Sequence, residues 1–549
     1  MKTKIFFIIF ILFCASNIAF AKEEKIEIPD VTTFIEGDAQ NLKLPAPDFE
    51  IFATKPIEKV VLEPVELEPI ETEEEGSEEK KIIINDTVVQ GIVGGGYPPS
   101  FLGKFGIENK SEEDPYSIDF VYDSVAAMAS NSLTDCFNSI NTSIHFYKAM
   151  TLQKGNLALK ADYASSINGF QSMAQSLGAL NQIFVDLNLN YNYYLRFFDC
   201  LNITFDGVFY NRYSDITDST LSIENWQAES RMLCFMPSLS LSKTFLEEAL
   251  TLKLNANYNL DMDIYGSLVN SQTLYTSGKT LNRTFFDTSL EYKKNKFYFE
   301  SHVGAVAGSH QNENIVIVPF SLKLLFSVPF ENYSDVNVAI SGGLKTSKTD
   351  ISKLEKQYKY SAFSFLPHEE SFWFSQMQGN LQLRNNLFVK GDVSFSKSAL
   401  NNGVWFCDYD KDAQNGLYTY SKKDITSLST SLSFDFIYNL FNITGKFCVN
   451  LFDLLPLQNR YEYYAKIKYN ASTNWEAFIE TQGALDASDK TPILNAQVSY
   501  KLKSQDQNSM QVILFTKDAI KFFSGASREY AGNYICDSGS ITLMLEFTL

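Results

Sequence analysis

The chain has 549 residues, with 46 basic and 65 acidic side chains, a formal charge of −19, and 45 Phe and 29 Tyr against 4 Trp and 4 His. The acidic excess excludes the clustered Lys/Arg face of a nucleic-acid binder, and four histidines leave little material for a His-rich metal site. Aromatics reach 14% while mean hydropathy is only −0.13, so the rings are diluted by polar residues rather than gathered into one large apolar core.

Residues 1–21, MKTKIFFIIFILFCASNIAFA, carry Lys2 and Lys4, an apolar run from Ile5 to Phe13 and the small-residue pattern Ala19-Phe20-Ala21. This is the layout of a secretory signal peptide, with cleavage expected after Ala21 and an apolar core too short to span a membrane. Six cysteines remain: Cys136, Cys200, Cys234, Cys407, Cys448 and Cys536. None sits in a C-x-x-C pair, and a mature chain this long does not depend on disulfide staples.

Residues 22–87 read as an acidic, Pro/Glu-rich periplasmic tether. Between 22 and 81 the net charge is −11, and six of the 15 prolines fall there. Such a segment buries too little apolar surface to offset its ordering entropy. The alternation KIEIPDV at 25–31 has the form of a strand that pairs with the sheet edge of an energy-coupling protein.

From 88 onward the texture is uniform. Ile183, Val185, Leu187, Leu189, Tyr191 and Tyr193 alternate with Asp186, Asn188, Asn190 and Asn192; Leu250 to Leu260 alternate with Thr251, Lys253, Asn255, Asn257 and Asn259. A period of two places one set toward an apolar medium and the other toward a polar one. Runs of ten or more residues suit tilted transmembrane strands, and aromatic clusters such as NYNYYLRFF and RYEYY suit an interfacial girdle. The runs predict 22 strands, near 88–97, 100–108, 116–126, 138–147, 155–163, 182–194, 200–211, 232–241, 249–260, 284–294 and 296–306 in the first half. The second half gives 314–327, 334–345, 374–384, 386–396, 425–440, 442–452, 460–470, 473–483, 491–502, 508–517 and 540–549. Even-to-odd connections are short and odd-to-even ones long, as for periplasmic turns and outer loops of bacterial barrels, except near the start, where Pro98-Pro99 makes the first outer connection short. The fold class is therefore all-β: a transmembrane antiparallel β-barrel of about 22 strands, within a range of roughly 16–24, over 88–549. The final run ITLMLEFTL alternates as a closing strand should, and resembles the C-terminal targeting signal of outer-membrane proteins, with Leu549 where an aromatic is usual.

The stretch GIVGGGYPPSFLGKFGIENKSEEDPYSIDF at 91–120 resembles the first hairpin of TonB-dependent-receptor-like barrels, and IPDVTTFIEGD at 28–38 resembles leaders of spirochaete outer-membrane proteins. The resemblance implies a plugless relative of those receptors, because the segment between signal and barrel is shorter than a plug domain.

Gly94-Gly95-Gly96 is not a phosphate loop, since Pro98 and Phe105 stand where Gly and Ser/Thr are required; the glycines serve close strand packing. Asp408, Asp410 and Asp412 resemble the opening of a calcium loop, but Ala413 and Thr419 replace its Gly and Glu, so no metal site is expected. PHEES at 367–371 puts His368 beside Glu369 and Glu370 without further ligands, and His145 and His302 stand isolated within strands. The polar strand faces are expected to line the lumen with Asp186, Lys253, Lys390, Asp392, Lys446, Glu462, Lys466 and Lys468, because a charge facing lipid at the midplane costs about 2–4 kcal/mol.

The sequence thus predicts an exported, non-enzymatic outer-membrane barrel without cofactor. Its expected role is passage of small polar solutes, as a porin-like channel or by TonB-receptor-like uptake. The expected partners are outer-membrane lipid, the barrel-assembly machinery and a TonB-like periplasmic protein reached through 22–87. The alternative is a surface-interaction or adhesin barrel whose long outer loops bind a partner.

Overall fold

The computed structural model describes residues 87–549 apart from 112–113, 127–137, 172–176, 217–226, 247–248, 269–279, 311–312, 329–335, 350, 363–368, 384–385, 411–415, 471, 473, 488, 506–507, 532–533 and 537–538. The signal segment and nearly all of the expected tether lie outside the described residues.

Each strand pairs antiparallel with the next in sequence, and the first strand, Thr87–Tyr97, closes the sheet on the last, Ser540–Thr548. Glu313–Ile317 and Phe320–Val328 both pair with Phe297–His310. They form one strand interrupted at Pro319, which has no N–H to give the ladder. The result is a closed barrel of 22 antiparallel strands, which removes every sheet edge.

The register keeps one parity around the ring. On the outward face stand Val93, Phe101, Leu187, Phe205, Leu239, Leu254, Phe286, Leu322, Ile340, Met377, Leu432, Ile479, Leu514 and Leu543, all exposed. A band of this size facing water would be an aggregation surface; facing acyl chains it is the membrane anchor. Many of the Phe side chains belong to this band rather than to a core.

The wall is uneven in height. Leu177–Tyr193 and Cys200–Ile216 have 17 residues each, Gln227–Phe245 and Leu250–Leu268 have 19. Thr87–Tyr97, Ser100–Asn109, Asn508–Lys517 and Ser540–Thr548 have only 9 to 11. About ten residues cross a bilayer, so the longer strands stand clear of it.

The glycines at the closing seam have a packing role. A Cβ on Gly94 would fall on the Met544 side chain and 2.7 Å from the Leu543 carbonyl, and one on Gly96 would meet Thr542 Oγ1 at 2.8 Å. Met544 instead lies across the glycine surface, completing an apolar patch with Ile92, Phe478, Ile513 and Phe515 on the inward face.

Candidate functional site

Three outer connections fold over the mouth, and each carries its own small element. Residues 349–368 contain helix α1, Ile351–Gln357. Residues 399–425 contain the hairpin Val404–Cys407/Tyr420–Lys423. Residues 518–539 contain helix α2, Ala519–Ser524, and the hairpin Arg528–Ala531/Tyr534–Cys536. The first two are joined backbone to backbone: Tyr418 N–H donates to the Tyr360 carbonyl at 2.9 Å and Ala362 N–H to the Tyr418 carbonyl at 2.6 Å.

These segments share one hydrophobic core with the outer rim of the wall. Leu354, Tyr358 and Tyr360 come from the first loop, Cys407, Leu417 and Tyr418 from the second, Tyr534 from the third, and Phe170 and Leu180 from the rim. Tyr360 and Tyr534 stack with centroids 3.6 Å apart and planes at 4°. Their hydroxyls donate to the Gly169 and Gly416 carbonyls, so the buried phenols are satisfied. Gln171 and Ile535 exchange two hydrogen bonds of 2.9 Å, side chain to backbone in both directions. Gln171 follows the fifth strand of the ring and Ile535 lies between the last two. In a closed barrel, groups that far apart around the wall meet only across the lumen or its mouth.

Beneath this core sits a buried charge. Glu355 on α1 is 0% exposed and Arg212 on the wall 3%. One carboxylate oxygen accepts from Tyr210 Oη (2.6 Å), Arg212 Nη1 (3.0 Å) and Gln182 Nε2 (3.2 Å). The other accepts from Ser361 Oγ and Tyr420 Oη, both at 2.9 Å. Arg212 Nη2 donates onward to the Ser361 carbonyl. Gln182, Tyr210 and Arg212 belong to neighbouring tall strands, whereas Glu355, Ser361 and Tyr420 belong to loops. A buried ion pair tolerates desolvation only with its remaining lone pairs satisfied, and here five donors surround one carboxylate. Burial, reinforced by the Glu355 charge, pushes the Tyr420 phenol well above its ordinary range, keeping it a donor. Burial likewise pushes the Cys407 thiol up to about 12, leaving it an inert packing group.

Further ion pairs tie together strands of the wall near their outer ends. Arg283 makes a fork with Glu369, three hydrogen bonds of 2.7–3.1 Å, and Lys348 pairs with Asp261. Each crosses several strands of the ring.

Following the paired residues strand by strand, all eight charged positions expected in the lumen lie on the same face as Gln182 and Arg212. Asp186 is 3.5 Å from Lys356 of α1. Lys253 pairs with Glu291. Asp392 accepts from Gln376 at 2.8 Å. Lys466 pairs with Glu480 at 3.4 Å and lies over the Phe478 ring. Lys468 pairs with Glu476 at 2.9 Å. Glu462 is buried and accepts from the Asn459 N–H at 3.2 Å. Lys390 and Lys446 stand exposed on that face. They are spread around the wall and do not converge on one point.

Several expectations change. His145 and His302 are not isolated: His145 Nδ1 is 2.8 Å from Asp162, and His302 lies 2.6 Å from Glu300 and 3.7 Å from Asp287. Glu369 and Glu370 are buried strand residues rather than loop residues; His368 lies outside the described residues. Asp408 accepts from Ser421 at 3.1 Å, Asp410 is exposed, and Asp412 lies outside the described residues. Among the described residues no three His, Cys, Asp or Glu groups gather as a metal site. Cys200, Cys234, Cys407 and Cys448 are free thiols.

No family model matches the chain and no curated protein matches it. Solved structures do. The FrpB iron transporter from Neisseria meningitidis (F5-1 variant) aligns with a TM-score of 0.63 at 10% identity, covering 84% of this chain and 82% of its own. The copper transporter OprC aligns at 0.61 and 7% identity, covering 84% and 80%. The siderophore receptor PirA from Acinetobacter baumannii aligns at 0.55 and 10%, also covering 84% and 80%. The chain shares the fold of these proteins, a closed antiparallel β-barrel of 22 strands. At such identities the likeness carries the architecture and no residue of any binding site.

Sequence reasoning missed the lid. Its signal was present as Leu354, Tyr358 and Tyr360 in one outer loop, and as Tyr409, Tyr418 and Tyr420 in the next. A solvated loop has no use for so many rings.

Proposed function

We propose that this protein is a gated uptake barrel of the TonB-dependent-receptor type, passing small polar solutes across the outer membrane. A standing open pore is the weaker reading. The observation that carries the proposal is the lid: three outer loops share one core, and α1 places a buried carboxylate against the inward face of the tall wall. A 22-strand barrel is wide enough for an aqueous channel, so these loops are what limits passage from outside. Below them the inward face offers Asn188, Asn190, Ser238, Ser240, Ser429, Ser431 and the eight charges of mixed sign, a lining that suits hydrated polar solutes and selects no single charge. In this reading the loops, rather than a plug domain, close the barrel, the signal is removed after Ala21, and 22–87 reaches a TonB-like periplasmic protein.

Planar-bilayer recording of the purified full-length protein tests it. The expected trace is closed, with rare, large openings. A steady large conductance would reassign the protein as an open porin. No openings in the wild type or in any lid variant would favour the adhesin reading, in which the barrel is scaffold. Energy coupling is tested by deleting 22–87 after the signal: uptake should fall to background while the barrel still assembles, and unchanged uptake removes the TonB-like partner from the proposal.

A further inference from the structure

The loop 518–539 has a second exposed feature that the lid does not use. Helix α2 follows directly on one of the shortest strands, where the wall barely exceeds the bilayer. Its backbone turns in at Asp518 (φ 41°) and out at Gly525 (φ 66°). Phe522 packs edge-on against Tyr97, centroids 6.2 Å apart at 82°. Tyr97 pairs with Ile541 and shares the outward face with Val93, so α2 lies on the lipid side of the rim. Lys521 is held by Asp489 at 2.7 Å. Arg528, just past the helix, is clamped between Asp518 (2.9 Å), Asp489 (3.4 Å) and the Thr491 carbonyl (2.9 Å). The two cationic groups of this segment, Lys521 and Arg528, are therefore both engaged with protein. The segment also shows Phe523, 76% exposed, with Ile520 three residues earlier on the same surface and Tyr97, 59% exposed, beside them.

We propose that α2 is an interfacial foot, with Phe523 and Ile520 seated among the acyl chains of the outer leaflet. The apolar surface is continuous with the outward band of Val93, Phe101 and Leu543, and its rings stand where barrels place their interfacial girdle. Rings at a membrane interface gain burial on one side and keep water on the other. A protein partner is the competing occupant, and the continuity with the lipid-facing band favours lipid. The same loop carries Tyr534 into the lid core, so one connection joins the membrane surface to the closed mouth. The inference stands independently of what the barrel transports.

The test uses full-length protein in phosphatidylcholine vesicles, nitroxide-labelled after Phe523→Cys, Ile520→Cys or Ala526→Cys, with identically treated wild type subtracting native thiols. Power-saturation spectroscopy reads accessibility to oxygen and to a water-soluble nickel chelate. The oxygen-to-nickel ratio should be several-fold higher at 523 and 520 than at 526, and should approach that of Leu543→Cys on the outward band. Ratios at 523 and 520 equal to that at 526 would place the helix in water and overturn the proposal. Using two labelled positions keeps the result interpretable if one substitution disturbs the loop.

Discussion

Replacing Glu355 by alanine removes the one acceptor shared by Tyr210, Arg212, Gln182, Ser361 and Tyr420. It also leaves the Arg212 guanidinium buried without a counter-charge. Breaking a buried pair from one side costs about 3–5 kcal/mol. The strand ladder does not involve Glu355, so the cost falls on the contact between lid and wall rather than on the barrel. At about 1.4 kcal/mol per tenfold, the ratio of open to closed lid rises by about a hundred- to a few thousand-fold. In planar bilayers the open fraction of Glu355→Ala should increase accordingly at unchanged unit conductance. Glu355→Gln keeps an acceptor oxygen and should fall between the two. Lys356→Ala is the control: its pair with Asp186 is half exposed, is worth no more than about 1 kcal/mol, and should leave gating nearly unchanged. If Glu355→Ala gates like the wild type, the carboxylate does not hold the lid and the reasoning fails.

Three further outcomes follow from other parts of the molecule. Leu187→Lys, on the outward face, should lower the urea midpoint of vesicle-folded protein by an amount equivalent to about 2–4 kcal/mol, while Asn188→Lys on the inward face should barely move it; equal effects would reject the facing assignment. Gly94→Ala should destabilise the closing seam by about 1–3 kcal/mol, visible as early loss of the heat-modifiable band, whereas Gly95→Ala, whose Cβ would sit 3.6 Å from the nearest atom, the Ser100 carbonyl oxygen, should be silent. Burial works against ionisation of Asp489, but the Lys521 and Thr491 hydrogen bonds and the Arg528 charge hold its carboxyl down at about 2. Its folded value lies below the ordinary 3.8, so its tie is intact above that pH and is lost as pH falls toward 2. Pepsin cleavage within 518–539 should therefore rise between pH 4 and 2, and Asp489→Asn should flatten that dependence.

The barrel was legible because lipid imposes alternation residue by residue. All 22 expected strands are present. The misplaced boundaries cluster at the outer ends: the run expected at 155–163 continues to Gly169, that at 200–211 to Ile216, that at 249–260 to Leu268, and 232–241 begins at Gln227. Sequences such as QAESR and IYGSL there have lost the period of two, because above the bilayer no apolar medium requires it. The two-residue outer connection at Pro98-Pro99, which looked like a break in the pattern, belongs to the low side of the wall. The lid's partners were not legible, because many of its contacts join positions more than a hundred residues apart. Glu355 and Arg212 carry no local mark of each other, and only the closure of the ring brings them together.

The uneven wall gives the mouth a direction. Two of the lid loops leave strands of 12 and 10 residues, Leu387–Ser398 and Asn508–Lys517. The lid core and Glu355 meet the high strands that hold Gln182, Tyr210 and Arg212. The high strands thus act as a doorpost and the loops from the low side as the leaf that swings against it. Hydrogen bonds to the post come from the ladder-fixed strands, so release moves the leaf and leaves the post standing. On the gated-uptake reading, a solute arriving from outside would meet an aperture that opens on one flank, on the side of the proposed foot α2.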